Sequence, residues 1–185
     1  MSMNRKSLVR LFSCLMCLAA QAGEPVNQEH TLTAYKQQWQ QCGHHLVRKG
    51  IFFKVADVDW FTDSCRDNQN ILSASPVLLR FTYFRTIKRD FFIDSATEYF
   101  LHNLSKPSTQ QIKDTIHNFN QAYQDVADGD SYDLLIDHQG SLKLYKNKKL
   151  IQRSQQPLIL RNYLKIWFGK IPVIPELKEA FEPSL

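Results

Sequence analysis

The sequence predicts an α+β fold in which an antiparallel sheet is covered by helices. Three observations predict it. Strand-like segments come in runs, before residue 87 and again over 131–152, rather than alternating one by one with helices. Two helical patterns sit together between those runs, and more helical pattern closes the chain. The later strands are joined by His138-Gln139-Gly140 and Asn147-Lys148, connections so short that only antiparallel neighbours can use them.

Taken in order, the elements are these. From Thr31 the chain is amphipathic through Leu32, Tyr35 and Trp39, a spacing compatible with helix or strand, and Gly43 is expected to break the segment. Residues 51–61 are dense in β-branched and aromatic side chains and are predicted as a strand. Residues 62–70 are polar and read as a loop, after which Pro76 opens a strand over 77–86. Residues 89–104 place Phe92, Ala96, Tyr99 and Phe100 at helical spacing. Ser108 and Gln111 then have capping-box register, and behind them Ile112, Ile116, Phe119 and Tyr123 form one apolar stripe. Asp128-Gly129-Asp130 is a turn into strands over 131–137, 141–146 and 149–152. Pro157 suits a helix start, the apolar pattern runs over 158–168 until Gly169 ends it, and a short helix follows over 176–181.

With 43% hydrophobic and 22% charged residues the chain is globular in composition, which excludes wholesale disorder. Arg5, Lys6 and Arg10 precede an apolar stretch over 11–20, and Ala20-Gln21-Ala22 places small residues at the −3 and −1 positions. This pattern predicts a signal peptide over 1–22, cleavage after Ala22, a periplasmic protein without a stable membrane span, and one domain over 23–185. The intact mass of the exported protein should therefore begin at Gly23, and a full-length chain held in the membrane would overturn the assignment. Cleavage removes three of the 23 basic residues and leaves 20 against 18 acidic ones, so the basic balance gives no reason to expect nucleic-acid binding.

Of four cysteines, Cys14 and Cys17 leave with the signal, while Cys42 and Cys65 remain in a chain bound for an oxidising compartment. A bridge between them would stabilise by roughly 3 kcal/mol through loop closure. Two separate thiols are the alternative. No CxxC or HxxxH spacing accompanies them, so no metal site is expected. His44 and His45 are chain neighbours and point to opposite faces of an extended segment, which argues against joint chelation. Asp57 and Asp59 share one strand face, a geometry that suits a solvated face better than a pair flanking a substrate. Lys143, Lys146, Lys148 and Lys149 read as edge protection, without the interleaved aromatics that stack bases. The sequence has no Gly-rich phosphate loop and no GxSxG elbow, and no cofactor is expected.

Three stretches resemble the chalcone isomerase-like family, particularly an exported bacterial branch of it. They are Leu46-Val47-Arg48-Lys49-Gly50-Ile51-Phe52-Phe53-Lys54-Val55; Phe119-Asn120 to Val126 with Gly129-Asp130 and Tyr132; and Ile166-Trp167-Phe168-Gly169 with Pro172 and Leu177-Lys178. The resemblance implies an open-faced β-sandwich, an antiparallel sheet layered against helices with a ligand cleft between them. The plant enzyme needs an arginine, a threonine, a tyrosine and an asparagine for ring closure. Anchored on Lys54, these positions fall near His44, Ala56, Phe91 and Glu98, so the hydroxyls are missing. The resemblance therefore implies a non-catalytic protein whose partner is a small apolar or fatty-acid-like ligand. The expected site is Arg48 and His44 as cations with Phe53, Phe81, Tyr83, Phe91, Phe92 and Tyr99 as walls, although the same aromatics could equally be core. His44 and Arg48, four positions apart on an extended segment, would sit about 13 Å from one another, which favours Arg48 alone as the anchor. The alternative is an isomerase or lyase using Tyr83, Tyr99, His44 and Arg48.

Overall fold

Six strands pair in chain order, each antiparallel to the next, to form one sheet: β1 (Gln40–Lys49), β2 (Phe53–Thr62), β3 (Val77–Tyr83), β4 (Ser131–Ile136), β5 (Leu142–Lys146) and β6 (Lys149–Ser154). The structure is a computed structural model and describes residues 39–182. The predicted signal segment, its cleavage site and the pattern at Leu32 and Tyr35 lie outside the described residues. Helices α1 (Arg89–His102) and α2 (Gln110–Asn120) form the excursion from β3 to β4, and α3 (Pro157–Asn162), α4 (Lys165–Phe168) and α5 (Pro175–Phe181) follow β6.

The alternation of each strand decides what faces the helices. Val58 and Trp60 of β2, Val77, Leu79 and Phe81 of β3 and Leu134 of β4 point inward and pack with Ile93 and Phe100 of α1 and Ile116 and Phe119 of α2. Among the described residues the opposite face carries a small cluster, Leu78, Leu135 and Tyr145, with Trp39, Phe61 and Leu150 against it. One cross-strand row on that open face reads His44, Asp59, Arg80, Asp133, Tyr145. Within it Arg80 grips Asp133 through Nε (2.5 Å) and Nη2 (2.8 Å). The carboxylates of Asp57 and Asp59 belong to this face and meet His44, as a solvated strand face requires.

Several local expectations are corrected. Gly43 does not break the chain but sits inside β1 beside a bulge, opposite Trp60. A β-carbon there would stand 2.8 Å from the ring of Phe181, so glycine is needed for the close approach of α5 to the edge strand. The cap of α2 is Thr109 rather than Ser108: its hydroxyl accepts from the Ile112 amide. The apolar stripe continues past the helix end, with Tyr123 beyond Asn120 and still buried. The single helix expected over 158–168 is two, because the turn tightens to three-residue spacing from Ile166 to Tyr163 and from Trp167 to Leu164. The Asn147-Lys148 turn is as expected for a two-residue hairpin, both residues having positive φ.

Cys42 and Cys65 are joined in a disulfide that ties β1 to the loop between β2 and β3. A second tie holds the helical layer. The Asn103 side chain at the end of α1 donates to the carbonyls of Tyr99 (2.8 Å) and Ile171 (2.7 Å) and accepts from the Ile171 amide (2.9 Å). It thereby fixes α1 against the segment that follows Gly169.

Candidate functional site

A cavity of about 420 Å³ opens between one end of the sheet and α1, within the range of roughly 300–1,000 Å³ usual for small-ligand sites. Its sheet wall is Ala56 of β2 with Phe81 and Tyr83 of β3, and its helix wall is Phe91, Phe92, Ser95 and Ala96 of α1. The inner end is closed by Tyr123, Ile166 and Trp167, all buried. Exposed Arg48, Lys49, Phe91 and Glu176 form the rim. The space exists because two of the facing positions, Ala56 and Ala96, are small where their neighbours are aromatic.

The wall is a continuous aromatic assembly. Phe81 meets Trp167 at 5.2 Å between centroids, and Phe92 meets Tyr83, Tyr123 and Tyr132 at 5.5, 5.5 and 5.4 Å. Burial raises the Tyr83 phenol well above its ordinary pKa, reinforced by the neighbouring Tyr123 and Tyr132, and pushes Tyr132 up to about 12. These hydroxyls are therefore neutral near pH 7, and none is poised as a base.

The polar partners of the wall are largely consumed within the protein. Tyr163 donates to Asn120 Oδ1 at 2.8 Å, and Asn120 Nδ2 donates to Thr97 at 2.9 Å. Since the Tyr163 proton is committed, Tyr123, 3.0 Å away, donates to Tyr163. Tyr132 is closed by Gln124, whose amide donates to its hydroxyl and whose carbonyl accepts from it. Tyr83 differs, because its hydroxyl has no hydrogen-bond partner among the described residues. At the rim, Arg48 and Lys49 form no ion pair among the described residues, so both charges are free to meet a ligand.

Arg48, Phe81, Tyr83, Phe91 and Phe92 are thus brought together. Three expected site residues are placed elsewhere. His44 is on the open face, its Nδ1 2.9 Å from Asp59, because its position in the alternation of β1 opposes it to Asp59 rather than to the inward Val58. Phe53 lies in a shallow groove outside the cavity, beside Phe52 and Arg85. Tyr99 is half-buried against His102, one turn beyond the cavity wall. Ser95, Ala96, Ile166, Trp167, Val173 and Ile174 also line the cavity and were not expected there. Ala96 was legible as a helix-face residue, and its small size beside Phe92 and Tyr99 is the signal for a gap. The C-terminal residues carry no local signal that they return to this end of the sheet. Among the described residues no cluster of three or more His, Cys, Asp or Glu is arranged to hold a metal ion, and no helix is long and apolar enough to cross a membrane.

A family model described as chalcone isomerase-like matches residues 21–181. The comparison with curated proteins found no match. Among solved structures, the crystal structure of a fatty-acid binding protein from Arabidopsis thaliana has a similar fold, with a TM-score of 0.58, 12% identity, and coverage of 78% of this chain and 86% of that one.

Proposed function

The chain belongs to the chalcone isomerase-like family, and from that premise we propose that it is an exported, non-catalytic member that holds an elongated apolar ligand with one anionic end, such as a fatty acid. The observation that carries this reading is an aromatic cavity with an arginine at its rim that forms no ion pair among the described residues. The positions that would correspond to the plant enzyme's threonine and tyrosine, Ala56 and Phe91, both line the cavity and have no hydroxyl to polarise a ketone. The position matching its arginine, His44, is on the other face of the sheet. The similarity to a fatty-acid binding protein supports the same ligand class.

Burying about 200 Å² of hydrocarbon at roughly 25 cal/mol per Å² contributes about 5 kcal/mol before ordering costs. That is weak without a charged contact, and the Arg48 guanidinium supplies one. Calorimetric titration with a long-chain fatty acid tests the reading. The wild type should bind saturably, Arg48→Ala should weaken binding by roughly tenfold, and Ala96→Phe should abolish it by filling the cavity. Absence of saturable binding, or unchanged affinity in Arg48→Ala, would remove the assignment. A chalcone added to the wild type should close its ring only at the spontaneous rate, and acceleration would overturn the non-catalytic part.

A further inference from the structure

We propose that the hairpin joining β1 to β2 docks onto the surface of an anionic phospholipid bilayer. Its tip sets three consecutive large apolar side chains in water: Ile51 is 80% exposed, Phe52 83% and Phe53 63%. Soluble proteins rarely expose such a run without a partner for it. Gly50, with φ of +64°, turns the chain so that this run forms the protruding end.

Four cations surround the tip: Arg48 and Lys49 before it, Lys54 after it and Arg85 beside it. The Arg85 guanidinium lies 6.0 Å from the Phe53 ring centre, and the Lys54 ammonium lies 5.6 Å from that of Phe84. Arg85 thus lies over the Phe53 ring, while Ile51 and Phe52, the two most exposed side chains of the tip, stay uncovered. None of the four forms an ion pair among the described residues. Among the described residues the grooves around the tip take in two acids, Asp128 with Lys54 and Arg85, and Glu176 beyond Arg48. An apolar end set in a surplus of positive charge matches a bilayer interface, where the side chains enter the acyl boundary and the cations meet lipid phosphates. A protein partner fits less well, since lysine is depleted at protein interfaces.

Lys49 belongs both to the groove at the tip and to the rim of the cavity, so docking places the cavity mouth next to lipid. An apolar ligand would then pass between bilayer and cavity without crossing water. The docking itself does not depend on the ligand assignment.

Co-sedimentation of the purified protein with vesicles tests the proposal. Vesicles of equimolar phosphatidylglycerol and phosphatidylcholine should bind the wild type, with affinity falling as salt rises, and phosphatidylcholine alone should bind it far less. Lys54→Gln and Arg85→Gln should each weaken binding about fivefold. The double variant Ile51→Ser/Phe52→Ser should lose it by at least about tenfold with an unchanged melting temperature, since both side chains stand in solvent. Fatty-acid titration of that double variant separates the two readings, because its cavity is intact. The proposal is overturned by no binding to phosphatidylglycerol vesicles, by equal binding to both compositions, or by wild-type binding in the tip variant. It is equally overturned if sedimentation shows a dimer that the tip variant dissolves, because the occupant is then a second copy of the chain.

Discussion

Asp133→Ala should destabilise the protein by about 3 kcal/mol, lowering the melting temperature by roughly 6–12 °C for a chain of this size. The Asp133 side chain is fully buried in the centre of β4 and its two oxygens take the two donors of Arg80, whose own side chain is 21% exposed. The hydrogen bond to Asp133 raises the Arg80 pKa, and although that rise is lost with its partner, a guanidinium is basic enough to keep its charge without it. It is left facing Asp59 of β2 as the next carboxylate in the row, on a sheet face that no helix among the described residues covers. Because Arg80 reaches water, the cost falls at the lower end of what breaking a buried pair brings. Replacing both partners, Arg80→Met with Asp133→Leu, should recover most of the loss, since Leu78, Leu135 and Tyr145 already form an apolar cluster on that face. Chemical denaturation of the two single variants and the double variant measures the coupling. A single variant as stable as the wild type would show that the pair contributes nothing to the open face.

That pair also shows where the sequence is informative. Leu78, Arg80 and Thr82 alternate with Leu79, Phe81 and Tyr83, so the two faces of β3 are visible as a pattern of period two. The antiparallel meander of β4, β5 and β6 follows from its short turns, and the α+β class from the grouping of elements. What alternation cannot supply is which strand lies opposite which. The placement of His44 depends on a register that contains two irregularities: the first, between Gln41 and Gly43, is marked by a glycine that reads as a bulge only once the strand is known, and the second, between Val47 and Arg48, has no residue signature. Arg48 reaches the cavity next to the second of them. Gly43 illustrates the same limit: a glycine that reads as a breaker is held by a ring nearly 140 residues downstream, a contact that only tertiary packing creates. The aromatic wall was legible because Phe81, Tyr83, Phe91 and Phe92 crowd one strand and the helix after it. The inner end of the cavity was not, because Ile166 and Trp167 read as ordinary core residues of a closing helix.

Replacing both Cys42 and Cys65 by serine should cost roughly 3 kcal/mol of global stability, the loop-closure contribution of a bridge spanning 23 positions, and should in addition loosen the start of β1. Among the described residues that strand is the sheet edge, paired to β2 alone, and α5 packs against it with Phe181 beside Gly43. The loop on the other side of the bridge is held internally. The Asn68 side chain donates to Asp63 and to the Ser64 carbonyl, its Oδ1 accepts from the Ser75 amide, and Ile71 is fully buried. The Cys65 amide adds one contact to β1, donating to Gln40 Oε1 at 3.1 Å. The bridge therefore fastens a weakly supported strand end to a loop that is already ordered. In the variant the slowest amides, in the centres of β3 and β4, should quicken only by the lost global stability, whereas Gln40 to His44 should lose further protection through local fraying. The sheet should survive, because β1 still pairs with β2 as far as Lys49 and Phe53. The cavity rim at Arg48 lies at that far end, so fatty-acid affinity should change little while the melting temperature falls. Equal acceleration of exchange in all six strands would show instead that the bridge does not hold the start of β1 and acts on the unfolded chain alone. An unchanged melting temperature, with both cysteines of the native wild type open to alkylation, would show that the bridge does not form.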